Sequence, residues 1–394
     1  MFTVVYIIVN KIISKAIHRG QSQMETDVLV IGGGISGCAL AYFLAQDGLD
    51  VTLIERSGLN SAASGANSGS LHGQIPHDTF LEKGEEWAHN FGPTLSLMRE
   101  SLEFWKPMEE VLEADLEVCL SGGLLVAKNE EEVKAIRVKA AIEKKFGIQS
   151  EYLDSTDLKN LAPYISDDMI GAMFYPEEGK ANPLLVVPAF AAQAEKLGVR
   201  IIRQAEVEKI SVQRVGFRVD TTRGPITCRR IGNCAGIDVG RISQMVGLTS
   251  TVIGDPIQTN VTEPLAPLVD HLVYSAGDRL TLKQTRHGSC LIGGGWPSSM
   301  DAVSGRLSVS YESVAKNLRD AIDMVPDLET AQLVRTWPAR VNGTDDWIPI
   351  LGEAETVNGF FINAFPWMGF TGGPISARLT ADMMLNRPGH SFPA

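Results

Sequence analysis

The sequence predicts an α/β fold in which a parallel-sheet unit is interleaved with a second, strand-rich unit. Three observations carry this. A short β-branched run, Asp27–Ile31, opens straight into a glycine-rich turn and a helix-like segment. Helix-like and strand-like stretches then alternate through the middle of the chain. From about residue 254 strand-like runs dominate again, until glycines near residue 370 open a last helix. A length of 394 residues suits two domains with real cores.

Composition bounds the function. At 44% hydrophobic and 21% charged residues the chain is neither disordered nor low-complexity. A net charge of −12 argues against nucleic acid as a partner. Five cysteines, with no C-x-x-C pair, support neither a disulfide framework nor a metal site, and point to a reducing, cytoplasmic setting. The charge is uneven: residues 1–23 carry +3 through Lys11, Lys15 and Arg19, leaving −15 for the rest. That segment is read as an N-terminal extension, because a strand begins almost directly after Met24. Its alternative is an interfacial helix that associates with an anionic membrane.

The first elements carry the first chemistry. Gly32, Gly34 and Gly37 form G-x-G-x-x-G behind the opening strand, with Ile35 and Ser36 between them. Cys38–Gln46 reads as a helix and Val51–Ile54 as a strand ending at Glu55, 18 positions beyond Gly37. The first glycine permits the turn, the second lets a pyrophosphate approach, and the third allows close helix–strand packing. The helix start faces phosphates, and the acid suits ribose hydroxyls. This is a Rossmann-like FAD/NAD(P)-binding unit. The motif alone does not choose between the two cofactors.

The next segment, Ser57–Gly73, is a run of small and hydroxyl residues that suits the wall of a long cofactor better than a linker. Residues 80–115 and 130–147 read as helical, and Gly122–Ala127 as a strand. Asn182 and Pro183 cap and open a helix through Leu197. Strands follow at 200–203, 206–212, 216–221 and 226–230, then at 261–264, 280–284 and 291–296. Lys283 alternates with Leu280 and Leu282, so it faces either solvent or a cavity. Phe360–Ala364 is a strand, and Gly369–Gly373 open the helix Pro374–Leu385.

These motifs resemble the D-amino-acid oxidase and glycine/sarcosine oxidase superfamily of FAD amine oxidoreductases from residue 25 onward. The resemblance implies that Ser64-Gly65-Ala66-Asn67-Ser68-Gly69, with Arg56 and Ala63 before it, wraps FAD, and that Ser70, Leu71 and His72 lie beside the flavin. Glu177–Pro183 matches its E-G-x-x-N-P element. Val207 matches a position touching adenine, and Asn233-Cys234-Ala235-Gly236 an N-A-A-G turn over the pyrophosphate. Trp337–Gly352 matches W-x-G-x-R-P-x-T-x-D-x-x-P-I-x-G and brings in Gly343. Gly369, Phe370, Thr371 and Gly372 would place amides beside the flavin pyrimidine. Trp296 falls near the substrate face.

The expected D-amino-acid oxidase-like layout gives 24–78, 155–250 and 335–394 to the FAD domain, and 79–154 and 251–334 to the substrate domain. Two departures matter. The family's carboxylate-binding arginine stands four positions after the tryptophan, where this chain has Val341; Arg340 lies one step earlier. The loop Phe365–Gly369 lacks a second arginine. His72, Lys283, Trp296 and Arg340 are therefore the catalytic candidates, with no metal.

The strand Leu291–Gly294 lacks the lysine that oxygen-reducing members place over the flavin, which favours a dehydrogenase. The combination SGANSGSLHGQ, VTEPLAP, LKQ, LIGGGWP and PWMGFTGG resembles the β subunits of octopine and nopaline oxidases, hydroxyproline dehydrogenases and hydrogen cyanide synthase. It implies non-covalent FAD and a small amino-acid-derived amine substrate. It also implies an α subunit, with iron–sulfur centres and further flavin confined to partners. The alternatives are a D-amino-acid, hydroxyproline or proline dehydrogenase, a glycine/sarcosine oxidase-like enzyme, and a non-catalytic flavin-bearing subunit.

Overall fold

The computed structural model describes residues 24–387. The expected N-terminal extension, with its membrane alternative, lies outside the described residues. Among the described residues no helix is long and apolar enough to cross a membrane.

The first sheet is the expected parallel unit. Its strand order runs Ile350–Glu353, Phe360–Ala364, Gly224–Asn233, Met24–Ile31, Val51–Glu55, Arg200–Arg203. Met24–Ile31 is parallel to both of its neighbours. A hairpin, Val207–Val212 and Phe217–Thr221, extends Gly224–Asn233 antiparallel. The helix Ile35–Gln46 packs on this sheet and is covered by the helices Pro183–Lys196 and Gly369–Met384. Leu40 and Leu44 on it are fully buried. Each such leucine contributes roughly 1.5–3 kcal/mol. Asn182 accepts from the Leu184 amide and Pro183 occupies the first turn, as the sequence predicts.

The second sheet is mixed. Its order is Leu333–Gly343, Ile253–Pro264, Ser289–Gly293, Thr281–Gln284, Leu272–Ser275, Gly123–Ala127, Gly171–Tyr175, Glu151–Asp154. This corrects the expected domain boundaries. Gly171–Tyr175 hydrogen-bonds to Gly123–Ala127, and Leu333–Gly343 to Ile253–Pro264, so both belong to the substrate side. The chain returns to the first unit only after Glu178 and after Gly343. A strand's sheet is decided by which ladder completes its backbone bonds, and alternation does not encode that.

The helices differ in detail. The stretch read as 80–115 is His77–Trp105, broken at Gly84 (φ 79°), followed by the short Met108–Val111. The glycines at 369–373 do not precede the last helix but form its first turns.

Candidate active site

The glycine turn shows three different physical demands. Gly32 sits at φ +114°, and a Cβ there would lie 2.4 Å from the Cys234 carbonyl. A Cβ on Gly37 would lie 1.9 Å from the Gly32 carbonyl, which is the close helix packing expected of the third glycine. Gly34 opens into a cavity, with only Ser64 near it. Glu55 accepts from the Gly33 amide (2.8 Å) and the Ser57 amide (2.8 Å), so its carboxylate is held at the cavity edge. Two of its lone pairs stay open to ribose hydroxyls. Arg56 pairs with Asp238 at 2.8 Å.

The loop Ser57–Gly73 is pinned rather than slack. Ser64 Oγ accepts from the Ile35 amide (3.0 Å), and Asn67 Oδ1 from the Gly69 amide (2.7 Å). The Trp337 indole donates to the Ala66 carbonyl (2.8 Å). The loop thereby forms a wall shared by two adjoining cavities. One, the dinucleotide cavity by its glycine turn, is lined by Gly32, Ile35, Ser36, Val207, Cys234, Ala235, Gly236 and Gly369, with Glu55, Arg56 and Ser64. The other, about 750 Å³, carries Ser68, Ser70, His72 and Thr371 on its wall. Ala63, Asn67, Val341, Trp367 and Phe370 line both, so the two cavities adjoin there.

Five residues expected at the cofactor line neither cavity: Gly37, Gly69, Leu71, Gly343 and Gly372. Their demands are packing ones. A Cβ on Gly69 would meet the Ala181 carbonyl, on Gly343 the Trp367 ring, and on Gly372 the Phe365 ring. Leu71 is fully buried.

The four catalytic candidates separate. His72 is on the wall of the large cavity, and its Nδ1 lies 2.7 Å from the Tyr274 hydroxyl. Burial, and secondarily Lys283, lowers its pKa to about 3, so the imidazole is neutral. Lys283 is buried but stands behind the wall, where its Nζ donates to Ser68 Oγ (2.8 Å) and Ser70 Oγ (2.5 Å). Burial, then Lys180, lowers it to about 7. Lys283 thus braces the loop and does not touch the cavity.

The other two are displaced from where the sequence reading put them. Trp296 lines neither cavity, and its indole donates to the Arg279 carbonyl (2.6 Å). Arg340 is exposed and lines the dinucleotide cavity. Ala339 and Val341 face the large one, because strand alternation turns position 340 the other way and no bulge shifts it.

Sequence reasoning missed a buried polar network on the large cavity's wall. Glu178, fully buried, accepts from the Gly73 amide (2.6 Å), the Gln74 amide (3.0 Å) and Gln74 Nε2 (2.9 Å). Gln74 Oε1 accepts from Lys139 Nζ (3.1 Å), which pairs with Glu143 at 2.6 Å. Burial raises the Glu178 pKa, and burial with the Glu178 charge holds Tyr274 well above a normal phenol. Only the i,i+4 spacing of Lys139 and Glu143 was a usable signal, and it suits a surface pair equally. The same cavity is also lined by Trp347 and Trp367, stacked with centroids 5.0 Å apart.

The family described as DAO, FAD dependent oxidoreductase, matches residues 27–383. The chain belongs to that family. It is an FAD-dependent amine oxidoreductase. It is 25% identical over 384 residues to the beta subunit of sarcosine oxidase from an Arthrobacter species, covering 93% of this chain and 89% of that one. It is 27% identical over 352 residues to an opine oxidase polypeptide of Agrobacterium tumefaciens, the second-lettered (B) member of that enzyme, covering 86% and 88%. In fold it is similar to the crystal structure of glycine oxidase from Geobacillus kaustophilus. The TM-score is 0.84 at 24% identity, covering 94% and 97% of the two chains.

Proposed function

We propose that this chain is the FAD-bearing, β-type subunit of a multi-subunit dehydrogenase that oxidises a secondary amine of the opine type. The product is an imine, which water converts to an amino acid and a 2-keto acid. The observation that carries this reading is the wall of the large cavity. Val341 stands where a carboxylate-binding arginine is expected, Arg340 faces away, and the loop Phe365–Gly369 has no arginine. A wall without that clamp suits a substrate of another class than a simple amino acid. The similarity to the opine oxidase polypeptide supports the same class, and the β-type naming of relatives supports an α partner.

The residues fit FAD. The dinucleotide cavity is lined by backbone of the glycine turn and by Glu55, and it adjoins the large cavity through Asn67 and Phe370. FAD, held non-covalently, supplies the two-electron acceptor that turns the substrate C–N bond into C=N. The protein's part is to orient the amine, exclude water and keep the nitrogen lone pair free. His72 Nδ1 lies 2.7 Å from the Tyr274 hydroxyl. With Nδ1–H donating to that oxygen, His72 Nε2 is left as an acceptor for the substrate N–H. Desolvation in the cavity favours the neutral amine.

The test is anaerobic mixing of the FAD-loaded protein, with its co-purified partner, against octopine, nopaline, proline, hydroxyproline, sarcosine and D-amino acids. Loss of the flavin absorbance with an opine, and slower or no loss with the rest, is expected. An oxidised flavin throughout the opine arm overturns the reading. Rapid bleaching by an imino acid or a D-amino acid instead transfers the chain to that dehydrogenase class.

A further inference from the structure

The large cavity is lined by two buried polar groups that the proposed chemistry leaves unused, and the charge of one acts on the other. His77 is 8% exposed. Among the described residues neither of its ring nitrogens has a hydrogen-bond partner. Lys139 is 1% exposed and also lines the cavity. Its ammonium has three donors, of which one is given to Gln74 and one to Glu143. The third has no acceptor among the described residues. Buried donors are ordinarily satisfied, and an open pair on a cavity wall is where a ligand's acceptors go.

We infer that Lys139 and His77 form the subsite that anchors a substrate carboxylate, in place of the absent arginines. The inference rests on the opine-type reading and deepens it, by naming what holds the acid of the substrate. Lys139 carries the positive charge here with Glu143 as its counter-ion at 2.6 Å, so what it offers a ligand is its remaining N–H and not a net charge. Burial first, and then Lys139, the one charged group that acts on His77, lowers the imidazole to about 3; the Ala276 carbonyl lies near enough to favour the proton without meeting hydrogen-bond geometry. Asp78, Glu82, Asp278 and Arg279 also line the cavity, but all are exposed at its rim, where solvent screens them. Glu178 lies on the wall with its oxygens already occupied by Gly73 and Gln74. Glu143 is behind Lys139 and does not line the cavity. A carboxylate entering here receives one N–H from Lys139 and one from His77, and charge-assisted bonds of this kind are the strong ones.

The experiment uses oxidised, FAD-loaded protein and needs no turnover. Pyruvate is titrated in, with pyruvamide as its uncharged counterpart and agmatine as a cation, and binding is followed by the flavin spectrum and by equilibrium dialysis. Pyruvate is expected to bind at least tenfold more tightly than pyruvamide. His77→Phe and Lys139→Gln should each weaken pyruvate at least tenfold and leave pyruvamide unchanged.

A bound anion restores the proton that the free site denies His77, so pyruvate binding should take up a proton and tighten as pH falls from 7 to 5. A purely structural histidine gives no such uptake. His77→Phe keeps the Lys139–Glu143 pair, so a failure of Lys139→Gln to fold leaves the test intact. Equal binding of pyruvate by wild type and His77→Phe, or preferential binding of agmatine, overturns the subsite. Pyruvate binding through His77 without bleaching by any opine keeps the subsite and removes the opine reading. Opine bleaching with His77-independent pyruvate binding does the reverse.

Discussion

The buried pair Lys139–Glu143 allows the strongest quantitative test of the cavity wall. Both side chains are at most 1% exposed, and the ions are 2.6 Å apart. Glu143 Oε1 takes both the Lys139 ammonium and the Ile75 amide, while Oε2 is buried without a partner among the described residues. Lys139→Met leaves that carboxylate with one amide donor and no counter-charge. Breaking such a pair costs about 3–5 kcal/mol. With an unfolding entropy of roughly 2.1 cal/mol/K per residue, a 394-residue chain has about 0.8 kcal/mol/K, so Tm should fall by about 4–6 °C.

The double variant Lys139→Met/Glu143→Gln removes the stranded charge and keeps an acceptor for Ile75. It should therefore recover to within about 1 °C of wild type, because replacing both partners of a buried pair is close to neutral. Differential scanning fluorimetry of the FAD-loaded proteins measures this. A single variant within 1 °C of wild type, or a double variant no better than the single, refutes the reasoning.

Three other outcomes are expected. Gly34→Val should fold with an unchanged far-ultraviolet circular dichroism spectrum and lose its yellow colour. The new side chain starts 2.9 Å from Ser64 Oγ and occupies the cofactor's path, so full retention of the 450 nm band would count against the cofactor placement. Arg340→Met should raise the Kd for FAD several-fold and change the KM for a carboxylated amine less than twofold, since Arg340 lines the dinucleotide cavity; a large KM effect alone would restore it as a substrate clamp. Folded His72 and His77 have pKa values of about 3 against 6.5 for the free residue. Their contribution to stability is therefore present above pH 6.5 and lost as pH falls through that window, with a slope of about 1.4 kcal/mol per pH unit for each. His72→Asn should remove one histidine's share of the slope in urea denaturation between pH 7 and 5, and an unchanged slope would show that His72 titrates normally.

How far the sequence revealed the fold and site depended on whether a demand was local. The glycine turn was readable because each glycine answers a backbone demand fixed within a few residues: φ +114° at Gly32, contact with the Gly32 carbonyl at Gly37. The Asn182–Pro183 helix start was readable for the same reason. The domain boundaries were not, because Gly171–Tyr175 and Leu333–Gly343 look like strands of either sheet until their partners are known.

The same limit governs the catalytic candidates. Period-two alternation says that Arg340 and Val341 face opposite ways, but not which face meets which cavity; the pairing with Ile253–Pro264 decides it. Lys283 shows a deeper version of the problem. Its strand is covered on both sides, so neither alternation nor its leucine neighbours could separate a surface lysine from a buried one. What holds it, Ser68 and Ser70, lies more than two hundred positions away. The Glu178 network is more remote from local reading still. It joins two loops, a helix and one strand, and its members are ordinary polar residues whose expense, and so whose meaning, arises only once the fold has removed them from water.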